Sequence, residues 1–237
     1  MAIVIAAGLL IGLAGCSPTA TPPAPASATP LPTPIPPQPA CPDAETPRSL
    51  CIVVLGDSIA HGTPLEGTDQ WPSRLERLLD AALPGRTVSV ANWAVPGSRV
   101  EVLAAAATGQ AALETFDIAI VIEGVNDAAW TPLATWRSSY VAAIAAMERR
   151  GVKVVIGTPP PTLIDGQFTT QYDPTTNTLR EIAGSTRPLL DIDARWRSDG
   201  ATKAAPYYSD LIHQAAPGQA LMAEMARDVV LAIAAKG

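Results

Sequence analysis

Residues 51–58 read Cys51-Ile52-Val53-Val54-Leu55-Gly56-Asp57-Ser58, and their reading decides the fold. Ile52 to Leu55 is an apolar, largely β-branched run, the mark of a strand buried on both faces. The run stops at Gly56, where the backbone can turn sharply without a Cβ in the way. Asp57 and Ser58 follow at once. Open α/β sheets hold their ligands at the carboxyl ends of strands, which makes Ser58 a candidate nucleophile. The same tripeptide also reads as an ordinary strand-to-helix turn with Ser58 as its N-cap. The choice depends on whether the rest of the chain supplies a base, an orienting acid and an oxyanion hole.

Working outward, further strand-like runs fall at Thr87–Ala91, Ile118–Ile122, Val152–Ile156 and Pro188–Ile192. Helical spacing of apolar residues predicts helices over Trp71–Leu83, Leu133–Arg150, Thr175–Gly184 and Pro217–Lys236, with Pro217 at a first helical position. Strands alternating with helices imply right-handed βαβ units and a mostly parallel five-stranded sheet covered on both faces, a three-layer α/β/α sandwich. The stretch Pro159 to Pro174 reads as a long loop of the kind that lines a binding site, with Phe168 and Tyr172 as candidate lining.

Three more blocks sit where this order puts strand ends or the last helix. After the third strand comes Glu123-Gly124-Val125-Asn126-Asp127. The Asn126 carboxamide can donate a hydrogen bond without carrying charge, which suits an oxyanion hole. Taken alone, the block reads more readily as an Asx-turn made by Asn126 and Asp127. After the second strand comes Asn92-Trp93-Ala94-Val95-Pro96-Gly97-Ser98, where Gly97 could bring its N–H close to a ligand, although Pro-Gly is above all a turn dipeptide. Before the last helix comes Ser209-Asp210-Leu211-Ile212-His213. The chain has only 2 histidines, His61 and His213. A carboxylate three residues before His213 lets one turn present both side chains together, with Asp210 on Nδ1 and Nε2 free to take a proton from Ser58. An ordinary surface turn has the same composition. His61 reads as a helix-start or cleft-rim residue. Trp93 and Trp130 either border a cleft or pack in the core.

The remaining composition is quickly read. The formal net charge is −6 and there is no basic run, so nucleic acid is not expected as a partner. Two histidines and dispersed carboxylates give no ligand cluster, and no metal is expected. Residues 17–49 hold 12 of the 24 prolines, so residues 17–48 read as an extended, disordered tether. The folded domain is expected over 49–237. Cys41 and Cys51 form an even pair and could be joined by a disulfide if the chain is exported.

The four blocks together resemble the SGNH hydrolase family, also called GDSL esterases and lipases. That family carries Ser, Gly, Asn and His in this order, here Ser58, Gly97, Asn126 and His213, with Ile59 where the family usually has leucine. The resemblance implies a flavodoxin-like fold; with no phosphate-cradling glycine pattern in the sequence, no nucleotide, flavin or other cofactor is expected. It implies that Ser58 attacks an ester carbonyl, that His213 serves as base and then acid, and that Asp210 orients His213. The N–H groups of Ser58 and Gly97 and the Asn126 side chain would hold the oxyanion. Asp57 and Asp127 would shape turns. A small acyl ester or an acetylated carbohydrate is the expected substrate. An O-acyltransferase on envelope polysaccharide, or a non-catalytic binding module, would use the same fold. Residues 1–16, ending Leu13-Ala14-Gly15-Cys16, resemble a bacterial lipoprotein signal with Cys16 as the lipidated residue. The apolar run is too short to span a bilayer, which agrees with a signal segment, though an apolar N-terminal helix or an uncleaved anchor has the same composition. No Lys or Arg precedes that run, which points to a start upstream of Met1. A monomer, exported and lipid-anchored in the cell envelope, is the expectation.

Overall fold

The run around Ile52 forms the second strand of a five-stranded sheet in the computed structural model, which describes residues 36–236. In chain order the elements are β1 (Ser49–Gly56), α1 (Ser58–His61), α2 (Trp71–Ala82), β2 (Thr87–Asn92), α3 (Val100–Gly109), β3 (Ile118–Ile122), α4 (Asp127–Trp130) and α5 (Leu133–Glu148). There follow β4 (Lys153–Thr158), β5 (Leu163–Ile164), β6 (Gln167–Phe168), α6 (Asp173–Ala183), β7 (Leu189–Asp191), α7 (Ile192–Asp199), α8 (Ala201–Ala204) and α9 (Ala216–Ala234). The sheet order is β2-β1-β3-β4-β7 and every pairing is parallel. The chain therefore steps from β1 to one edge, returns, and builds outward from β3 on the other side. The crevice at the carboxyl ends of β1 and β3 is the switch point of the topology. Gly56 pairs with Ile122, so these two strands end level and deliver their turns side by side.

Both faces of the sheet are buried, as the uninterrupted apolar runs require. Val53, Leu55, Ala119 and Val121 face α3, α5 and α6, with Leu103, Trp136, Tyr140 and Ile144 packed over them. Ile52, Val54, Ile120 and Ile122 face the other way, under Trp71, Leu75 and Leu79 of α2 and Met222, Ala226 and Val230 of α9. Each fully buried large apolar side chain contributes about 1.5–3 kcal/mol.

The five expected strands are present. The expected helices are present within two residues at most ends, and the expected Pro159–Pro174 loop holds a small hairpin, β5–β6, turning at Asp165-Gly166. Besides the four-residue helices α1, α4 and α8, two longer helices among the described residues lie outside the sequence reading. Helix α3 is Ala-rich, and small residues on every side show no amphipathic stripe. Helix α7 follows β7 without a loop, because the Asp191 side chain caps it by accepting from the Ala194 N–H at 3.1 Å.

Cys41 and Cys51 are joined by a disulfide, with Cα atoms 6.0 Å apart. It fixes the segment before β1 to the amino end of that strand. The Cys41 N–H also donates to Thr115 Oγ1 at 2.9 Å, and the Gln38 N–H donates to Gln110 Oε1 at 3.0 Å. Residues 36–48, read above as the end of the tether, thus lie against the folded unit. The expected signal segment, Cys16 and the rest of the tether lie outside the described residues. Among the described residues no helix is long and apolar enough to cross a membrane.

Candidate active site

Gly56 ends β1 at a φ of 135°, and a Cβ there would lie 1.7 Å from the Ile122 carbonyl oxygen. No other residue fits, so the chain must turn at this point. Asp57 then caps α1, its Oδ1 accepting from the Ile59 N–H at 2.8 Å. The N-cap is therefore Asp57, not Ser58, and the Ser58 hydroxyl has no capping duty. That hydroxyl lies 2.9 Å from His213 Nε2. His213 Nδ1 in turn lies 2.8 Å from Asp210 Oδ2. The other carboxylate oxygen of Asp210 accepts from the N–H groups of Ile212 and His213, each at 2.7 Å. Partial burial would raise the Asp210 carboxyl, but the backbone N–H and ring of His213 outweigh it and hold the group below the usual range. An ionised carboxylate only accepts, so Nδ1 carries the proton and Nε2 presents a lone pair to Ser58.

The other two blocks converge on the same point. Past β2 the chain keeps bonding to β1: the Val95 N–H donates to the Gly56 carbonyl at 2.9 Å. A turn closed by the Ser98 N–H on the Val95 carbonyl holds Gly97 at a φ of 80°, with open space where a Cβ would stand. Asn126 makes no capping bond in α4; its Nδ2 donates to the Ser98 carbonyl at 2.8 Å, and its second amide hydrogen has no acceptor among the described residues. The Asx-turn is thus not formed. Among the described residues, neither the Ser58 N–H nor the Gly97 N–H has an acceptor. Asp127 is buried and bridges two loops, accepting from the Val100 N–H at 2.9 Å and from Thr131 Oγ1 at 2.7 Å. Burial raises its carboxyl.

Sequence reasoning passed over Ser98 and Glu123, both buried. Ser98 Oγ is 3.1 Å from the Gly56 carbonyl oxygen and 3.0 Å from Glu123 Oε2. The available signal was a charged residue at the end of an otherwise wholly apolar strand. Asp57 is likewise fully buried, and desolvation lifts its carboxyl to about 6 despite the N–H groups of Ile59 and Val125. Of the aromatics, Trp93 is core, packed edge-to-face on Phe116 at 5.1 Å, whereas Trp130 is 78% exposed at the end of α4. Tyr172 is buried in the core and Phe168 packs against it only in part. His61 ends α1, half-buried, with Nδ1 between Thr63 Oγ1 and Gln70 Nε2; burial lowers its pKa.

A cavity of about 640 Å³ lies elsewhere, lined by Gly151, Lys153, Arg187, Val229 and Lys236 toward the amino ends of the strands, and touches none of these groups. A smaller one of about 100 Å³ adjoins the Asn126 turn, lined by Ala128, Thr131, Leu133 and Thr175. No cluster of three or more His, Cys, Asp or Glu among the described residues is placed to hold a metal ion.

The chain is an ester hydrolase of the α/β class. More particularly, residues 54–221 match the GDSL-like lipase/acylhydrolase family, and the chain belongs to it. Solved structures share the architecture. An acetyl xylan esterase, AlAXEase, superposes with a TM-score of 0.65 at 16% identity, over 77% of this chain and 99% of that one. The lipase/acylhydrolase from Enterococcus faecalis gives 0.64 at 20% identity, over 76% and 94%. An acetylxylan esterase from Geobacillus stearothermophilus gives 0.61 at 15% identity, over 78% and 94%. No curated protein sequence matches the chain.

Proposed function

We propose that this chain hydrolyses small acyl esters or acetylated carbohydrates through a Ser58–His213–Asp210 triad. The observation that carries the reading is the continuous relay from Ser58 Oγ through the His213 ring to Asp210, at 2.9 and 2.8 Å. Ser58 Oγ attacks the ester carbonyl while His213 Nε2 takes its proton. The carbonyl oxygen becomes an oxyanion, held by the N–H groups of Ser58 and Gly97 and the free amide hydrogen of Asn126. Collapse expels the alcohol, which receives the proton from His213. Water then attacks the acyl-enzyme, again losing a proton to Nε2; collapse frees the carboxylic acid, and Nε2 returns the proton to the departing Ser58 Oγ. Asp210 keeps Nδ1 protonated and stabilises the imidazolium that forms at each step.

Two features support the substrate class. The exposed indole of Trp130 sits four residues from Asn126 and suits the face of a sugar ring. Two of the structural relatives are acetyl xylan esterases. The test is turnover of p-nitrophenyl acetate by wild type and by Ser58→Ala. Wild type is expected to be active and labelled by a fluorophosphonate, and the variant to lose about 10⁴-fold or more in kcat. A wild-type protein that neither turns over short esters nor takes the label would end this reading.

The proposed site of action is the cell envelope, through a lipid on Cys16. The lipobox-like end of residues 1–16 supports it, as does a disulfide suited to an oxidising compartment. Cys16→Ser should leave the membrane fraction; retention there would point to an uncleaved apolar anchor.

A further inference from the structure

We propose that Glu123 is a positioning residue of the oxyanion hole: as a neutral acid it donates its proton to Ser98 Oγ, so that the single hydrogen of Ser98 is committed to the Gly56 carbonyl. The inference rests on the reading of Ser58, Gly97 and Asn126 just given.

Counting hydrogens leads to it. The Gly56 carbonyl can only accept, and Ser98 Oγ is 3.1 Å from it. Glu123 Oε2 is 3.0 Å from the same hydroxyl. Ser98 has one hydrogen to give. An ionised Glu123 would set two acceptors in competition for it. A protonated Glu123 removes the conflict and forms a directed chain from Oε2–H to Oγ and from Oγ–H to the carbonyl. Its other oxygen, Oε1, accepts the Gly124 N–H at 3.0 Å, so every polar atom of the acid has a partner.

The surroundings favour the same state. Glu123 is 1% exposed and enters no ion pair among the described residues. A buried charge without a cation is costly. The ionisable groups that act on it are Asp57 from the turn after β1, Asp127 from α4 and the buried Tyr140 of α5. Arg99 and Glu101 act on Asp127, and Arg187 on Tyr140, at one remove. Burial first, then the charges of Asp57 and Asp127, push the Glu123 carboxyl well above the usual range against its bonds to Ser98 and Gly124.

Ser98 is where the consequence is felt. Its hydroxyl holds the Gly56 end of the nucleophile turn, its N–H closes the turn around Gly97, and its carbonyl holds Asn126. One residue thus sets the spacing of all three oxyanion donors, and Glu123 sets Ser98.

Glu123→Gln carries an amide that donates to Ser98 and accepts from Gly124, as the neutral acid does. It should keep kcat within about threefold of wild type. Glu123→Ala should lose on the order of 10- to 100-fold in kcat with KM little changed, the cost of small misplacement near the reacting atoms. At alkaline pH wild-type kcat should fall while Glu123→Gln stays level. Infrared difference spectra at neutral pH should show a protonated carboxylic acid in wild type that Glu123→Gln lacks, a readout that needs no activity. A missing acid band, a glutamine variant as slow as the alanine one, or an alanine variant as fast as wild type would overturn the proposal. Were wild type inert toward every ester, the triad reading would fall, and the infrared band alone would still decide for or against Glu123.

Discussion

His213 Nε2 lies 2.9 Å from Ser58 Oγ although 155 residues separate the two. The closeness is held from behind by α2 and α9, which pack on one another over one face of the sheet. Gln219, in the first turns of α9, is fully buried, and its Oε1 accepts the Trp71 N–H at 3.0 Å. Its amide reaches the Gln214 carbonyl beside His213. Trp71 in turn donates its indole N–H to the Ile59 carbonyl, next to Ser58, at 3.0 Å. The His213 turn and the Ser58 helix are therefore tied to the same two side chains.

Gln219→Leu should reveal that tie. It leaves the Trp71 N–H buried without a partner, which costs about 1–3 kcal/mol of stability. It should also lower kcat, because the serine–histidine distance loses its support. Chemical denaturation together with ester turnover on the folded variant would check both. Unchanged kcat in a destabilised protein would show that the distance is set elsewhere.

Asp210→Asn tests the assigned proton on Nδ1. An asparagine can offer its amide N–H to the ring and favour the tautomer with the proton on Nε2, which cannot then accept from Ser58. A loss of about 10³- to 10⁴-fold in kcat is expected, with binding little changed. Because the Asp210 carboxyl is held below its ordinary range, it stays ionised through neutral pH and does not set the acid limb of the rate profile. A drop smaller than tenfold would show that the histidine is oriented without it.

Asn126→Ala removes the bond to the Ser98 carbonyl and, on the proposed mechanism, one oxyanion donor. A loss of about 10²- to 10³-fold in kcat is expected. Stability should change less, since Asn126 caps no helix. Steady-state kinetics will separate the effects, for an oxyanion donor acts on kcat far more than on KM.

Much of this was legible in the chain itself. Ile52–Leu55 and Ile118–Ile122 announce buried parallel strands by composition alone, and Gly56 and Gly124 mark their ends. With two histidines to choose from, the pairing of His213 with Ser58 was a short step. Other parts emerge only in the folded chain, for physical reasons. Helix α3 is hidden by its alanines, which pack closely yet draw no stripe. The exchange of capping from Ser58 to Asp57 turns on a side-chain geometry that composition does not show. The Ser98–Glu123 contact exists because β1 lies between β2 and β3 and the Ser98 turn after β2 reaches over the end of β1, which neither block reports alone.

The buried Asp57 makes a prediction about pH and stability. Its folded pKa, about 6, lies above its ordinary 3.8 because burial disfavours the charge. The folded state therefore binds the extra proton between those values. Its stabilising contribution is complete below the unfolded value and is lost as pH rises through about 6. Asp57→Asn keeps an N-cap, since asparagine serves as well as aspartate there, but cannot titrate. Urea unfolding between about pH 4 and pH 7 should show wild type losing on the order of 1–3 kcal/mol relative to the variant across that window. The comparison must be relative, because Asp191, Asp199 and Asp210 have depressed values and contribute in the opposite sense as pH falls toward them. Parallel stability curves for the two proteins would mean that Asp57 titrates alike folded and unfolded, and that its caps compensate fully for its burial.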